Sequence, residues 1–222
     1  SANRSEQSFI SASGEVELSF DEGHTFHLVN NTVTIMTSLE SKGKALKSYL
    51  SQGEKFSVVQ AFQIIKQVLF AVKEVHEAGF LHLDIQDGNV FIKGSLSEED
   101  KLVSLVDFGA ARPVCEDGLC PVIRDRALFS TMGFESPEIV GHNDGTLRLG
   151  AEADLYSVGY LLLLMLTGKR YTQRELDSAN IGLYLSKRKL KKLNCPAHMA
   201  DKVHQIISKA LRPFFSCVGA GG

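Results

Sequence analysis

The chain has 222 residues, ample for one globular unit and too few for several enzyme domains. Hydrophobic residues make up 44% and charged residues 23%, an ordinary globular balance that excludes disordered, collagen-like and coiled-coil classes. Lys plus Arg (24) nearly matches Asp plus Glu (26), and a net charge of -2 lacks the basic field that nucleic-acid binding exploits, so nucleic acid is not an expected partner.

In chain order, residues 1–14 are small and polar and read as a loose end. Glu15–Phe20 then alternates around Val16, Leu18 and Phe20, with turn chemistry at Asp21-Glu22-Gly23. His24–Val29 and Thr32–Thr37 follow, split by Asn30-Asn31, and the three runs predict a short antiparallel meander. Lys44–Ser51 reads as a short helix. Ser57–Ala78 reads as a long one, opened by a capping box at Ser57 and Gln60 and stopped at Gly79. Its apolar residues Val59, Phe62, Ile65, Val68, Leu69, Val72 and Val75 keep helical spacing and predict one buried face.

Beyond Phe80 the pattern turns to short β-like runs, Asn89–Ile92 and Leu102–Val106, and then to an irregular segment, 109–137. A very apolar helix is expected over 152–167, ending at Gly168, with further helices over 173–191 and 197–211. Its apolar stretch Leu155–Leu166 is short of the roughly 20 residues of a membrane span, so it predicts a buried helix and no membrane partner. Four cysteines do not make a disulfide framework, and no leader opens the sequence, which predicts a reduced, cytoplasmic protein.

The chemistry is concentrated in the middle of the chain. His82-Leu83-Asp84-Ile85-Gln86-Asp87-Gly88-Asn89 fits H-x-D-x-x-x-x-N, and Asp107-Phe108-Gly109 follows an apolar strand. Ser130-Thr131-Met132-Gly133-Phe134-Glu135-Ser136-Pro137-Glu138 comes next, then Asp154-Leu155-Tyr156-Ser157-Val158-Gly159 at the head of the apolar helix. Each motif alone is a weak signal, because Asp-rich loops are common turns. Their order and separation are not. Together they resemble the protein kinase family from about Thr32 to Leu211, and the SPE and DLYSVG segments set the chain apart from small-molecule kinases that share the HxD and Asn logic.

The resemblance implies an α+β, protein-kinase-like fold: a mostly helical lower lobe over 44–222 and a minimal β upper part with the hinge over 1–43. It implies ATP and Mg²⁺ as cofactors and a Ser/Thr protein as substrate. In the family pattern Asp84 accepts the substrate hydroxyl's proton, while Asn89 and Asp107 hold the metal, whose hardness suits a carboxylate and an amide oxygen. Thr131 matches the threonine that bridges to the catalytic Asp. Met36 falls at the gatekeeper, Thr37–Leu39 at the hinge and Phe91 beneath the adenine, although Met36 and Phe91 also read as plain core residues. Asp154 would accept hydrogen bonds from the backbone around His82 and Leu83, or else serve only as a first-turn charge on the helix dipole. Glu138 would pair with a buried arginine, for which Arg212 is the nearest candidate.

The sequence also departs from the family. No Gly-rich loop is recognisable, no lysine precedes Lys42, and too few residues precede Thr32 for a full upper lobe, which is therefore expected to be missing, reduced or truncated. Leu83 replaces the Arg of HRD, so phosphate-driven ordering of 109–137 is not expected. Gln86 replaces the catalytic-loop lysine and brings no charge to the phosphoryl group, which implies slow transfer. A pseudokinase-type interaction module without catalysis is the alternative. Cys115 and Cys120 have no second ligand pair, so free thiols are expected in preference to zinc. The run Lys187, Arg188, Lys189, Lys191, Lys192 reads as a solvated face or as a docking site.

Overall fold

The computed structural model describes residues 7–10, 16–20, 24–29 and 32–37 through their backbone, and 43–96, 101–123, 133–141, 146–177 and 181–212. Alternating sequence near the N-terminus builds a four-stranded antiparallel sheet in simple order: β1 (Gln7–Ile10), β2 (Val16–Phe20), β3 (His24–Val29) and β4 (Thr32–Thr37). Its register sets Leu18 opposite Phe26 and Phe26 opposite Ile35, so apolar positions align across three strands. The meander is thus present, and it gains a strand: Gln7–Ile10, expected to be loose, pairs with β2 through Ile10 and Val16.

The expected helix at Lys44 starts as a strand instead. β5 (Lys44–Ala45) pairs with β7 (Val90–Lys93), and only Leu46–Ser51 is helical (α1). The long helix α2 (Val58–Glu77) has the expected start, where Ser57 Oγ accepts the Gln60 amide at 3.2 Å and Gln60 Oε1 accepts the Ser57 amide at 2.9 Å. Its buried stripe is rotated from the one expected. Val58, Ala61, Ile64, Ile65, Val68 and Val72 face the core, whereas Val59 and Leu69 are exposed, as is Phe70. Alanine at 61 lets the helix sit close to its neighbours, and the larger residues at 59, 62, 69 and 70 are left outside or half outside.

After β6 (Phe80–Leu81), the β7 hairpin partner is β8 (Leu102–Leu105), completing the sheet order β5-β7-β8. The described residues of the segment expected to be irregular include two short strands. β9 (Arg112–Pro113) pairs with β6, and β10 (Cys120–Ile123) pairs with β11 (Thr146–Leu149). Cys120 is buried in β10 while Cys115 is exposed. Between them in sequence and the apolar helix lies α3 (Pro137–Gly141).

Helix α4 (Ala151–Thr167) is the centre of the molecule, and every residue from Tyr156 to Leu166 is buried, as a helix apolar on all sides requires. It ends where Gly168 takes the left-handed conformation (φ 66°). α2 packs on one side of it and α8 (Ala200–Ala210) on another. A Cβ on Gly159 would lie 2.5 Å from the Ala210 Cβ, so glycine is what lets α8 approach. The helix expected over 173–191 is interrupted: its described residues form α5 (Gln173–Asp177), α6 (Ile181–Tyr184) and α7 (Lys187–Lys192), the last restarted by Ser186, whose Oγ accepts the Lys189 amide. The helix expected from residue 197 begins as a 3-10 turn, Ala197–Met199.

Candidate functional site

The loop between β6 and β7 is held from below by one carboxylate. Asp154, fully buried in the first turn of α4, accepts the His82 amide at 2.9 Å and the Leu83 amide at 2.8 Å. A third donor was not anticipated from sequence: His76 Nε2, near the end of α2, lies 2.7 Å from Asp154 Oδ2. With three partners the buried carboxylate is satisfied, and a simple dipole role does not account for it. The grip coincides with backbone strain, since Leu83 (φ 62°) and Asp107 (φ 64°) both adopt left-handed conformations that non-glycine residues avoid.

Above that anchor the motif residues converge. The β7–β8 register sets Val90 opposite Leu105, which brings Asn89 and Asp107 to the same end of the hairpin, and the Val106 amide bonds the Asn89 carbonyl at 2.9 Å. Asn89 turns its NH2 toward Asp84, donating to the backbone carbonyl and to Oδ2, each at 2.8 Å. Gln86 Nε2 donates to both oxygens of the same carboxylate, at 2.9 and 3.1 Å. Asp84 is half-buried and Asp107 exposed, with the Gly109 amide 3.2 Å from Asp107 Oδ1. His82 packs its ring against Phe108 at 4.7 Å between centroids. Burial pushes the His82 imidazole below its usual pKa, and this outweighs the opposite pull of Asp154, Asp84 and Asp107.

The other expected site residues are distributed as follows. Phe91 is half-buried in β7, opposite Ala45 and Ser104. Met36 lies in β4 opposite Thr25. Thr131 and Leu39 lie outside the described residues. The expected partnership of Glu138 with Arg212 is not formed among the described residues: Glu138 Oε2 is buried without a hydrogen-bond partner, and the Arg212 amide closes the end of α8 on the Lys209 carbonyl. Arg212 is exposed past the end of α8, whereas Glu138 is half-buried in α3.

One more pair was missed because 83 residues separate its members. Asp87, 1% exposed in the same loop, takes Arg170 Nη2 on both oxygens, at 2.8 and 2.7 Å. No spacing rule signals it. In α7, by contrast, the basic run is where the sequence set it, with Lys187, Arg188, Lys191 and Lys192 exposed and Lys189 half-buried, its Nζ 3.4 Å from the Thr167 carbonyl.

Comparison with known proteins agrees with this geometry. The family model for the protein kinase domain matches residues 21–217. The chain belongs to the protein kinase family. It is 29% identical over 191 residues to the serine/threonine-protein kinase PLK4 of Drosophila grimshawi, covering 85% of this chain and 23% of that protein. It is 31% identical over 147 residues to human death-associated protein kinase 2, covering 65% of this chain and 36% of that protein. A probable serine/threonine-protein kinase, PknB, of Lactococcus lactis is 28% identical over 127 residues, 57% of this chain and 18% of that protein. The chain therefore spans about a fifth to a third of the length of these relatives. Among the described residues no helix is long and apolar enough to cross a membrane.

Proposed function

We propose that this chain, in the cytoplasm, transfers the terminal phosphoryl group of ATP, slowly and with Mg²⁺, to a Ser or Thr hydroxyl of a protein substrate. In this reading residues 44–222 form the helical lower lobe and 1–43 a reduced β upper part. Asp84 accepts the hydroxyl proton, Thr131 supports it, and Asn89 and Asp107 hold the metal. Met36, Leu39 and Phe91 surround the adenine. The observation that carries the reading is the commitment of Asn89: both described bonds of its side chain use the NH2, which leaves its amide oxygen uncommitted at the same end of the β7–β8 hairpin as the exposed Asp107. Two oxygen donors of that kind fit a hard divalent cation. Bound there, Mg²⁺ would neutralise charge on the phosphates.

Slowness follows from Gln86. Its amide donates to both Asp84 oxygens, so a substrate hydroxyl must compete with it, and it supplies no positive charge to the phosphoryl group. Loss of one electrostatic donor of this sort costs about 10²–10³ in rate. The same bonds favour a second reading, a non-catalytic module that keeps the lower lobe as a platform for a protein partner. Radiolabelled phosphate incorporation into a generic protein substrate tests the choice, with Asp84→Asn as the blank. Incorporation above the blank supports transfer. Incorporation equal to the blank leaves the platform reading.

A further inference from the structure

We propose that Arg170 recognises a carboxylate or phosphate group on the protein substrate, beside the hydroxyl that Asp84 receives. The inference rests on the phosphotransfer reading only for the identity of the peptide as substrate; the anion site itself is drawn from the geometry. Arg170 lies two residues past Gly168, where the chain leaves α4. Its guanidinium is seated from two sides. Asp87 takes Nη2 on both carboxylate oxygens, and the Phe134 ring lies 5.6 Å from the guanidinium carbon. Both seats are themselves fixed. Phe134 is buried and meets the Tyr160 ring edge-on at 4.7 Å, and the Asp87 carbonyl accepts the Lys47 amide at 2.8 Å.

An arginine carries five N–H donors, and the described bonds use only Nη2. The side chain remains 46% exposed, and Nη1 and Nε, on different edges of the guanidinium, have no described partner on a group already held in one orientation. A planar group held in place loses little entropy when it donates a directed hydrogen bond to an oxyanion. Its location gives the recognised group its place. Asp87 follows Asp84 by three residues in the same loop, and Phe134 belongs to the segment that precedes α3. Among the described residues Arg170 is the one cationic side chain bonded to the loop, since Leu83 and Gln86 occupy the positions where further cations could stand. Because Asp87 offsets the charge, selection comes from directed hydrogen bonds and not from a long-range field, so it should be moderate and local.

The test uses the full chain and two fluorescein-labelled peptides that carry Ala in place of the acceptor Ser, one with Glu and one with Lys at the flanking positions; a third replaces one Glu with phosphoserine. Anisotropy should show the Glu and phosphoserine peptides binding about fivefold tighter than the Lys peptide. Arg170→Gln should erase the difference. That change strands the buried Asp87 carboxylate, so Asp87→Asn with Arg170→Gln, which restores a neutral hydrogen-bonding pair, provides the second variant. Equal affinities in the unmodified chain, including no binding of any peptide, overturn the proposal. So does discrimination that survives in the double variant, which would assign it to Arg188, Lys191 and Lys192 on α7. The Mg-ATP melting shift of the same samples reads the nucleotide site separately: peptide discrimination without that shift keeps the anion site and removes the phosphotransfer reading.

Discussion

Asp154 and Leu83 are joined by a hydrogen bond from the Leu83 amide to a carboxylate 71 residues away in sequence, at 2.8 Å and largely out of water. The bond holds a residue whose φ of 62° is unfavourable for leucine, so removing the acceptor exposes both an unpaired donor and a strained turn. Asp154→Ala should therefore destabilise the protein by about 1–3 kcal/mol for the stranded amides of His82 and Leu83. Asp84→Ala, at the half-buried surface of the same loop, should melt close to the unmodified chain. Thermal melts of the two variants side by side decide whether support and chemistry are separable.

Nucleotide binding should be visible as stability. A ligand at about 100 times its dissociation constant adds roughly 2.7 kcal/mol, so Mg-ATP should raise the melting temperature. Asp107→Ala should abolish the rise, and EDTA should do the same. No rise at millimolar Mg-ATP would count against a metal-nucleotide site at Asn89 and Asp107.

Charge at position 86 should control the rate. Gln86→Lys sets a cation beside the moving phosphoryl group and should increase phosphate incorporation by about 10-fold or more, since single donors of this type are worth 10²–10³. Asp84→Asn should eliminate incorporation in either background. If lysine at 86 leaves the rate unchanged, Gln86 does not face the phosphate.

Acidification should weaken the fold through His82. Its folded-state pKa is lowered by burial, so the folded protein prefers the neutral ring and the unfolded chain takes up the proton first. The associated stability is fully present above the unfolded value of about 6.5 and is lost as pH falls from there through the lowered folded value. Melting temperature should drop over that window, and His82→Asn should flatten the drop. Midpoints measured at pH 7.5, 6.5 and 5.5 provide the check.

The contact between α4 and α8 should be intolerant of size. Gly159→Val introduces a Cβ within 2.5 Å of the Ala210 Cβ, and the branched side chain adds to the clash. Overpacking of this kind costs about 1–3 kcal/mol. Pairing it with Ala210→Gly should recover part of the loss, which equilibrium denaturation would register.

Much of the site was legible because its residues are close in sequence or ordered by motif. The Asp154 anchor beneath His82 and Leu83 is where the motif order set it, and α2 starts at the capping box that Ser57 and Gln60 spell out. What was not legible depends on tertiary pairing. Two-residue strands such as β6 and β9 are too short to carry an alternating pattern, and β10 finds its partner β11 across an intervening helix. The rotation of α2 was misread because that helix is apolar on more than one side, so spacing alone does not select the face that meets α4. His76 and Arg170 reach their carboxylates across 78 and 83 residues, distances at which sequence spacing holds no information about contact.

Both of those carboxylate contacts are referred to the same helix. Asp154 stands in the first turn of α4 and Arg170 just past its last, and between them they grip the loop between β6 and β7 at Leu83 and at Asp87. The two grips are separated by a number of helical residues, each of which contributes 1.5 Å of rise and 100° of rotation. Exchange of one buried leucine for another apolar residue alters volume at one point, whereas deletion of a single residue anywhere in Leu161–Leu164 would turn Arg170 away from Asp87 while Asp154 stays in place. Residue count along α4, more than residue identity, is the quantity that keeps the loop's two ends in register.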